Sequence, residues 1–181
     1  NETDCKFGNC LTFNGTFQAF IVSESISLDN LRTKELWFKP LGGFSSADSD
    51  SSELEVNRRT HGANQGYQLT LDQSDGKLKY LNDAGATTKT VTSGIDSWEE
   101  KWYHVAIVAD GTNMIMYING VQDGSTTFSG TFTDSTVGLP HCFGGGTTNC
   151  GKYSGVHDWF KGNMDEIMWW NRSLTATEIQ E

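Results

Sequence analysis

The chain has 181 residues, with 13 basic and 23 acidic side chains giving a formal net charge of −10. At this length roughly 70% of the unfolded chain's surface can be buried, and 6 Trp with 10 Phe supply far more core than a disordered chain carries. No stretch nears the ~18 consecutive apolar residues of a membrane helix, and no Lys/Arg cluster offers a face for phosphates, so membrane insertion and nucleic-acid binding are set aside.

Taken in chain order, short apolar runs alternate with turn signals and helical periodicity is absent. Leu11-Thr12-Phe13 and Ala19-Phe20-Ile21-Val22 open as strands, and Glu35-Leu36-Trp37-Phe38 follows, stopped by Lys39-Pro40. The run 45–52, SSADSDSS, reads as a mobile hairpin tip. In Glu53-Leu54-Glu55-Val56-Asn57, alternation places Leu54 and Val56 on one face and both glutamates together on the other, solvated face. Tyr67–Leu71 and Lys77–Leu81 flank Asp75-Gly76 and form a hairpin.

Trp102–Val108 and Met114–Ile118 are apolar at odd and even positions alike, as in central strands covered on both faces. Asp110-Gly111 and Asn119-Gly120 supply the positive φ angles that tight turns require. Phe160–Trp170 holds another strand, and Thr175 with Glu178 forms a capping box for one short C-terminal helical turn. With 20 Gly and only 2 Pro for its turns, the pattern predicts an all-β, two-sheet antiparallel sandwich over a single unit, residues 1–181.

The four cysteines lie as close pairs, Cys5/Cys10 and Cys142/Cys150. Four cysteines allow three connectivities, which the sequence does not choose among; two local bridges are the simplest. Three Asn-x-Ser/Thr sequons begin at Asn1, Asn14 and Asn171. Paired cysteines and several sequons together point to an extracellular glycoprotein, secreted or at the cell surface. No signal-peptide pattern precedes Asn1, so a leader has been removed or the chain is a module of a larger extracellular protein.

Several segments carry a resemblance. KFGNCLTFNG (6–15), LWFKP (36–40), WYHVAIVADG (102–111), MYING (116–120), FKGNMDEI (160–167) and WNRSLTATEI (170–179) occur in that order. They resemble laminin-G-like domains of the concanavalin A-like lectin and glucanase superfamily, across nearly the whole chain. The resemblance implies a jelly roll with a concave face, two sheets of six or seven strands, and a complete unit whose ends lie close together. It also implies a non-catalytic module for recognition or adhesion, whose partners are glycans or another extracellular protein. The alternatives are a structural repeat of a fibre or stalk that contacts neighbouring copies, and a divergent glycoside hydrolase.

A glycanase needs two carboxylates held about 5–10 Å apart, and related enzymes place theirs in a Glu-x-Asp-x-x-Glu strand. Glu53 and Glu55 come nearest, but Arg58 stands where a third acid belongs. Asp165 and Glu166, being adjacent strand residues, point to opposite faces. Through the resemblance, one structural Ca²⁺ is expected on the Asp165 carboxylate and carbonyls near Asn14, where many relatives carry Asp. Asp48, Asp50 and Glu53 form a second, weaker calcium set, lacking the glycine of an EF-hand loop. His141, Cys142, Cys150 and His157 offer zinc ligands at a spacing unlike the standard fingers, in competition with a disulfide. For sugar binding the candidates are Arg58, Arg59, His61, Asn64, Tyr67 and Trp159, most of them in the polar stretch NRRTHGANQG (57–66). Most tryptophans belong to apolar strands, with Trp98 and Trp159 as the expected exposed exceptions.

Overall fold

The structure is a computed structural model and describes residues 4–16, 18–22, 30–48, 51–58, 66–84, 87–132, 140–145 and 158–180. Its strands in chain order are β1 (Leu11–Asn14), β2 (Phe20–Val22), β3 (Thr33–Pro40), β4 (Phe44–Ser45), β5 (Ser52–Arg58), β6 (Gly66–Leu71) and β7 (Leu78–Ala84). Next come β8 (Thr87–Thr92), β9 (Ser97–Trp98), β10 (Tyr103–Ala109), β11 (Asn113–Ile118), β12 (Val121–Thr127), β13 (His141–Phe143) and β14 (Lys161–Trp170). One short helix, α1 (Ala176–Gln180), closes the described chain.

Among the described residues, six strands form a first sheet in the order β1-β14-β3-β10-β11-β12, and six form a second in the order β2-β13-β5-β6-β7-β8. Every pairing between these strands is antiparallel, and β4 pairs with β9 in a small separate ribbon. The expected all-β sandwich is thus present. Its hairpins fall at the turn signals: Gly76 and Gly111 adopt positive φ, and Asn119 (φ 51°) with Gly120 (φ 76°) supplies the paired left-handed residues of a two-residue turn between β11 and β12.

Between the sheets lies one apolar core. Phe38 is its hub, stacked on Tyr103 at 5.6 Å and packed on Trp98 at 5.4 Å and Phe160 at 6.5 Å. Trp98, expected to be exposed, is instead 1% exposed and donates its indole N–H to the Gly76 carbonyl at 2.9 Å. The local reading failed because Ser97–Trp98 lies beside an exposed turn in sequence, whereas pairing with β4 turns the indole inward.

A second apolar cluster covers the outer face of the first sheet, where Leu174 and Ile179 pack on Ala106, Val108 and Tyr117. The capping box forms as expected: Thr175 donates its N–H to Glu178 Oε2 at 2.8 Å, and Glu178 returns its own N–H to Thr175 Oγ1 at 3.3 Å. Thr175→Ala removes that cap and is expected to cost about 1 kcal/mol of unfolding free energy, read as a lower urea midpoint at unchanged slope.

The largest departure from the expected pattern is in β5. Register shifts between Glu53, paired with Thr70, and Glu55, paired with Leu69. This bulge sends Leu54 and Glu55 inward together, while Val56 pairs with Gln68 and Cys142 outside the shared core. Glu53 and Glu55 therefore occupy opposite faces, and neither is solvated: they are 0% and 2% exposed.

Candidate functional site

Where β1 ends and β14 begins, register sets Asn14 against Lys161. Gly15 turns the chain there at φ 81°, close against the Lys161 side chain. Facing them is the turn from Pro40 to Phe44, closed by the Gly43 N–H on the Pro40 carbonyl at 3.3 Å and by the Gly42 N–H on Glu100 Oε2 at 2.9 Å. Gly43 sits at φ 79°, and a Cβ there would lie 2.6 Å from the Trp98 carbonyl oxygen, so the turn requires glycine. Asp48 takes the Ser45 N–H at 2.7 Å.

The remaining wall is Trp159, which joins β5 through an isolated bridge to Glu53 and is braced by Gly145 against its ring. These elements enclose an open cleft of about 440 Å³, lined by Asn14, Asp48, Ser51, Trp159 and Lys161 among others.

A second pocket of about 280 Å³ adjoins it across Ser51, on the outer face of the second sheet. Its walls include Glu53, Gln68, Thr70, Asp72 and Asp158. Gln68 donates its amide to Glu53 in a very short hydrogen bond. At the rim, burial works to raise the Asp72 pKa, but the hydrogen bonds from Ser74 and the Lys79 ammonium 3.0 Å away outweigh it and hold the carboxyl below the ordinary value. A depressed carboxyl pKa adds stability that is present above the unfolded-state value and is lost as pH falls through the folded one. Asp72→Asn is therefore expected to flatten the acid limb of a stability–pH profile below about pH 4, a change that urea titrations at stepped pH values detect.

Of the predicted site residues, Asn14 and Trp159 meet on the cleft and Asp48 joins them. Tyr67 does not: it is 1% exposed between the sheets, and its hydroxyl lies 2.7 Å from Glu55 Oε1 and 2.8 Å from His141 Nδ1. Its place in β6 alternates with that of Gln68, so the neighbour reaches the outer pocket and the tyrosine fills the core. Arg59, His61 and Asn64 lie outside the described residues, as do Asp50, Cys150, His157, Asn1 and the side chain of Arg58.

The expected calcium pair is not brought together. Asp165 accepts the N–H groups of Phe7 at 2.8 Å and Glu166 at 2.9 Å. Asn14 lies four residues along the strand from the position facing Asp165, roughly 13 Å away. The Asn14 Oδ1 instead holds the N–H and hydroxyl of Thr16. Among the described residues no group of three or more His, Cys, Asp or Glu side chains is placed to hold a metal ion. Cys5 and Cys10 are bridged, and Cys142 is disulfide-bonded too, which removes its thiolate from the zinc set. His141 spends Nδ1 on Tyr67.

Lys161, Gln68, Asp72 and Asp158 were missed. Alternation from the core residues Tyr67, Leu69 and Leu71 marks Gln68 as outward-facing, but nothing local ties Asp158 or Lys161 to β5.

Residues 14–180 match the family described as the concanavalin A-like lectin/glucanases superfamily, in its laminin G type, and the chain belongs to that family. No curated protein sequence matches the chain. Among solved structures it is similar to domain 4 of AbnA, an extracellular arabinanase of Geobacillus stearothermophilus crystallised with arabinotriose, at TM-score 0.68 and 20% identity over 98% of this chain and 77% of that one. It is similar also to a heptameric SAP-like pentraxin of Limulus polyphemus, at TM-score 0.65 and 19% identity over 93% and 78%. The CBM40 of a Ruminococcus gnavus sialidase superposes at TM-score 0.63 and 16% identity over 91% and 97%. At these identities the likeness is one of fold.

Proposed function

We propose that the chain is a non-catalytic, extracellular glycan-recognition module that holds an uncharged sugar in the cleft beside Trp159. The observation that carries this reading is the half-buried indole at the wall of a cleft whose polar side chains include Asn14, Asp48, Ser51, Ser52 and Lys161, with Leu41, Phe44 and Leu71 among the apolar ones. An indole face stacks on the C–H face of a sugar ring, and short polar side chains around it bond the hydroxyls. Asp48, Glu53, Asp72 and Asp158 line the joined pockets and the whole chain carries −10, so sialylated, sulfated and uronic sugars are repelled. The arabinotriose complex of the AbnA domain supports a neutral saccharide as the class of ligand, and the Cys5–Cys10 bridge supports an oxidising compartment.

The glycanase alternative loses support from β5. A double-displacement or inverting pair must face one substrate, whereas Glu53 and Glu55 face opposite sides of the sheet and Glu55 is committed to Lys34 at 3.1 Å.

The test is a glycan array probed with purified protein in millimolar calcium and again in EDTA. Neutral oligosaccharide hits in both conditions support the reading, and hits lost in EDTA add a metal to it. A second reading, a structural module meeting copies of itself, is favoured by Phe20 and Ile21, 46% and 54% exposed on β2. A blank array with concentration-dependent sedimentation decides for that reading.

A further inference from the structure

We propose that Asn14 carries an N-linked glycan lying across the mouth of the Trp159 cleft, so that the glycoform of this one residue controls access. The inference rests on the reading of the cleft as the ligand site. Asn14 heads the sequon Asn14-Gly15-Thr16 and is exposed at the end of β1. Its Oδ1 accepts both the N–H and the hydroxyl of Thr16, each at 2.9 Å, while among the described residues its Nδ2 makes no hydrogen bond. The acceptor nitrogen is thus the free end of a fixed side chain.

Modification joins Nδ2 to the anomeric carbon of a lipid-diphosphate-linked oligosaccharide. The bond from that carbon to the diphosphate oxygen breaks, the lipid diphosphate departs with the bonding pair, and the amide gives up one proton.

The position is what gives the modification its consequence. Asn14 and Gly15 are themselves part of the cleft wall, opposite the 40–44 turn and beside Lys161. The first sugar on Nδ2 therefore starts at the rim, and the branches beyond it cover the opening that a free saccharide must enter. The other described sequon supplies an internal control. Asn171 is exposed just past the far end of β14, ten residues from Lys161, or about 30 Å along the strand. A glycan there leaves the cleft open.

The experiment uses the chain secreted from a glycosylating eukaryotic host as wild type, Thr16→Ala, Thr16→Ser and Asn171→Gln. Thr16→Ala removes the sequon without replacing a residue that lines the cleft, and leaves the Thr16 N–H on Asn14 Oδ1 in place; Thr16→Ser retains both the sequon and the hydroxyl. Peptide mass spectrometry is expected to show Asn14 occupied in all but the Thr16→Ala protein. Hydrogen exchange over residues 41–44 is expected to run several-fold faster in Thr16→Ala, with Thr16→Ser and Asn171→Gln matching wild type. On the array of neutral oligosaccharides, Thr16→Ala is expected to bind at least ten-fold more strongly than wild type. Absence of a glycan on Asn14 while Asn171 is modified overturns the proposal, as does equal exchange in wild type and Thr16→Ala. A blank array in every form, with the exchange difference present, supports the glycan's placement and sinks the ligand reading instead.

Discussion

Replacing Lys34 by alanine is expected to cost about 3–5 kcal/mol of unfolding free energy. Lys34 on β3 and Glu55 on β5 belong to different sheets, and they meet at 3.1 Å with side chains only 4% and 2% exposed. The same Glu55 oxygen accepts the Tyr67 hydroxyl at 2.7 Å and the Trp169 indole N–H at 3.2 Å. The Lys34 ammonium also lies over the Tyr67 ring.

Removing either ion strands the other where water cannot solvate it, and that stranded charge accounts for the cost. Lys34→Met combined with Glu55→Gln removes both ions, keeps the volume and leaves an amide oxygen to accept from Tyr67 and Trp169, and should recover most of the loss. Thermal and urea unfolding of the three proteins measure this. At roughly 2–4 °C per kcal/mol for a chain of this length, the single variant melts about 6–20 °C below wild type. A single-variant loss under about 1 kcal/mol would show the pair to be solvated and refute its assignment as a buried tie between sheets.

The second large effect concerns binding. Trp159→Ala is expected to weaken the tightest array ligand about 30-fold, the loss of a central aromatic anchor worth ~2 kcal/mol. Because the indole rests against Gly145, where a Cβ would stand 2.2 Å from its Cε3, Gly145→Ala should push the ring aside and reproduce part of the loss. Calorimetry of both variants, with Thr175→Ala as a binding-neutral control, provides the measurement. Undiminished affinity in Trp159→Ala would place the ligand elsewhere on the sandwich.

How far these features were legible beforehand depends on the range of the interactions that create them. The β6–β7 and β10–β11–β12 hairpins could be read because alternation, apolar runs and Asp-Gly or Asn-Gly turns are local signals. The Thr175–Glu178 box is local as well. The face assignment in β5 was not legible, since the bulge at Leu54 arises from pairing with Thr70 and Leu69, and no residue within β5 announces it. Trp98 was misread for the same kind of reason. The cleft was half legible: Trp159 and Asn14 were named for separate roles, but their meeting depends on the β1–β14 register and the bridge between Glu53 and Trp159. Tyr67 was chosen for its ring and polar tip, and the fold spends both on the core.

The segment 4–10 before β1, closed by the Cys5–Cys10 bridge, has a mechanical consequence. β1 and β14 run antiparallel, with Leu11 opposite Met164 and Asn14 opposite Lys161, so the chain enters β1 and leaves β14 on the same side. Tension applied through the flanking segments thus loads that pair in peel, and its rungs yield singly rather than sharing the force in shear. Before the first rung is reached, the Asp4–Lys39 ion pair and the Phe7 amide held by Asp165 must give way, while the Cys5–Cys10 bridge keeps the slack of its own loop out of reach. Under load the pair therefore opens in small early steps rather than in one abrupt rupture.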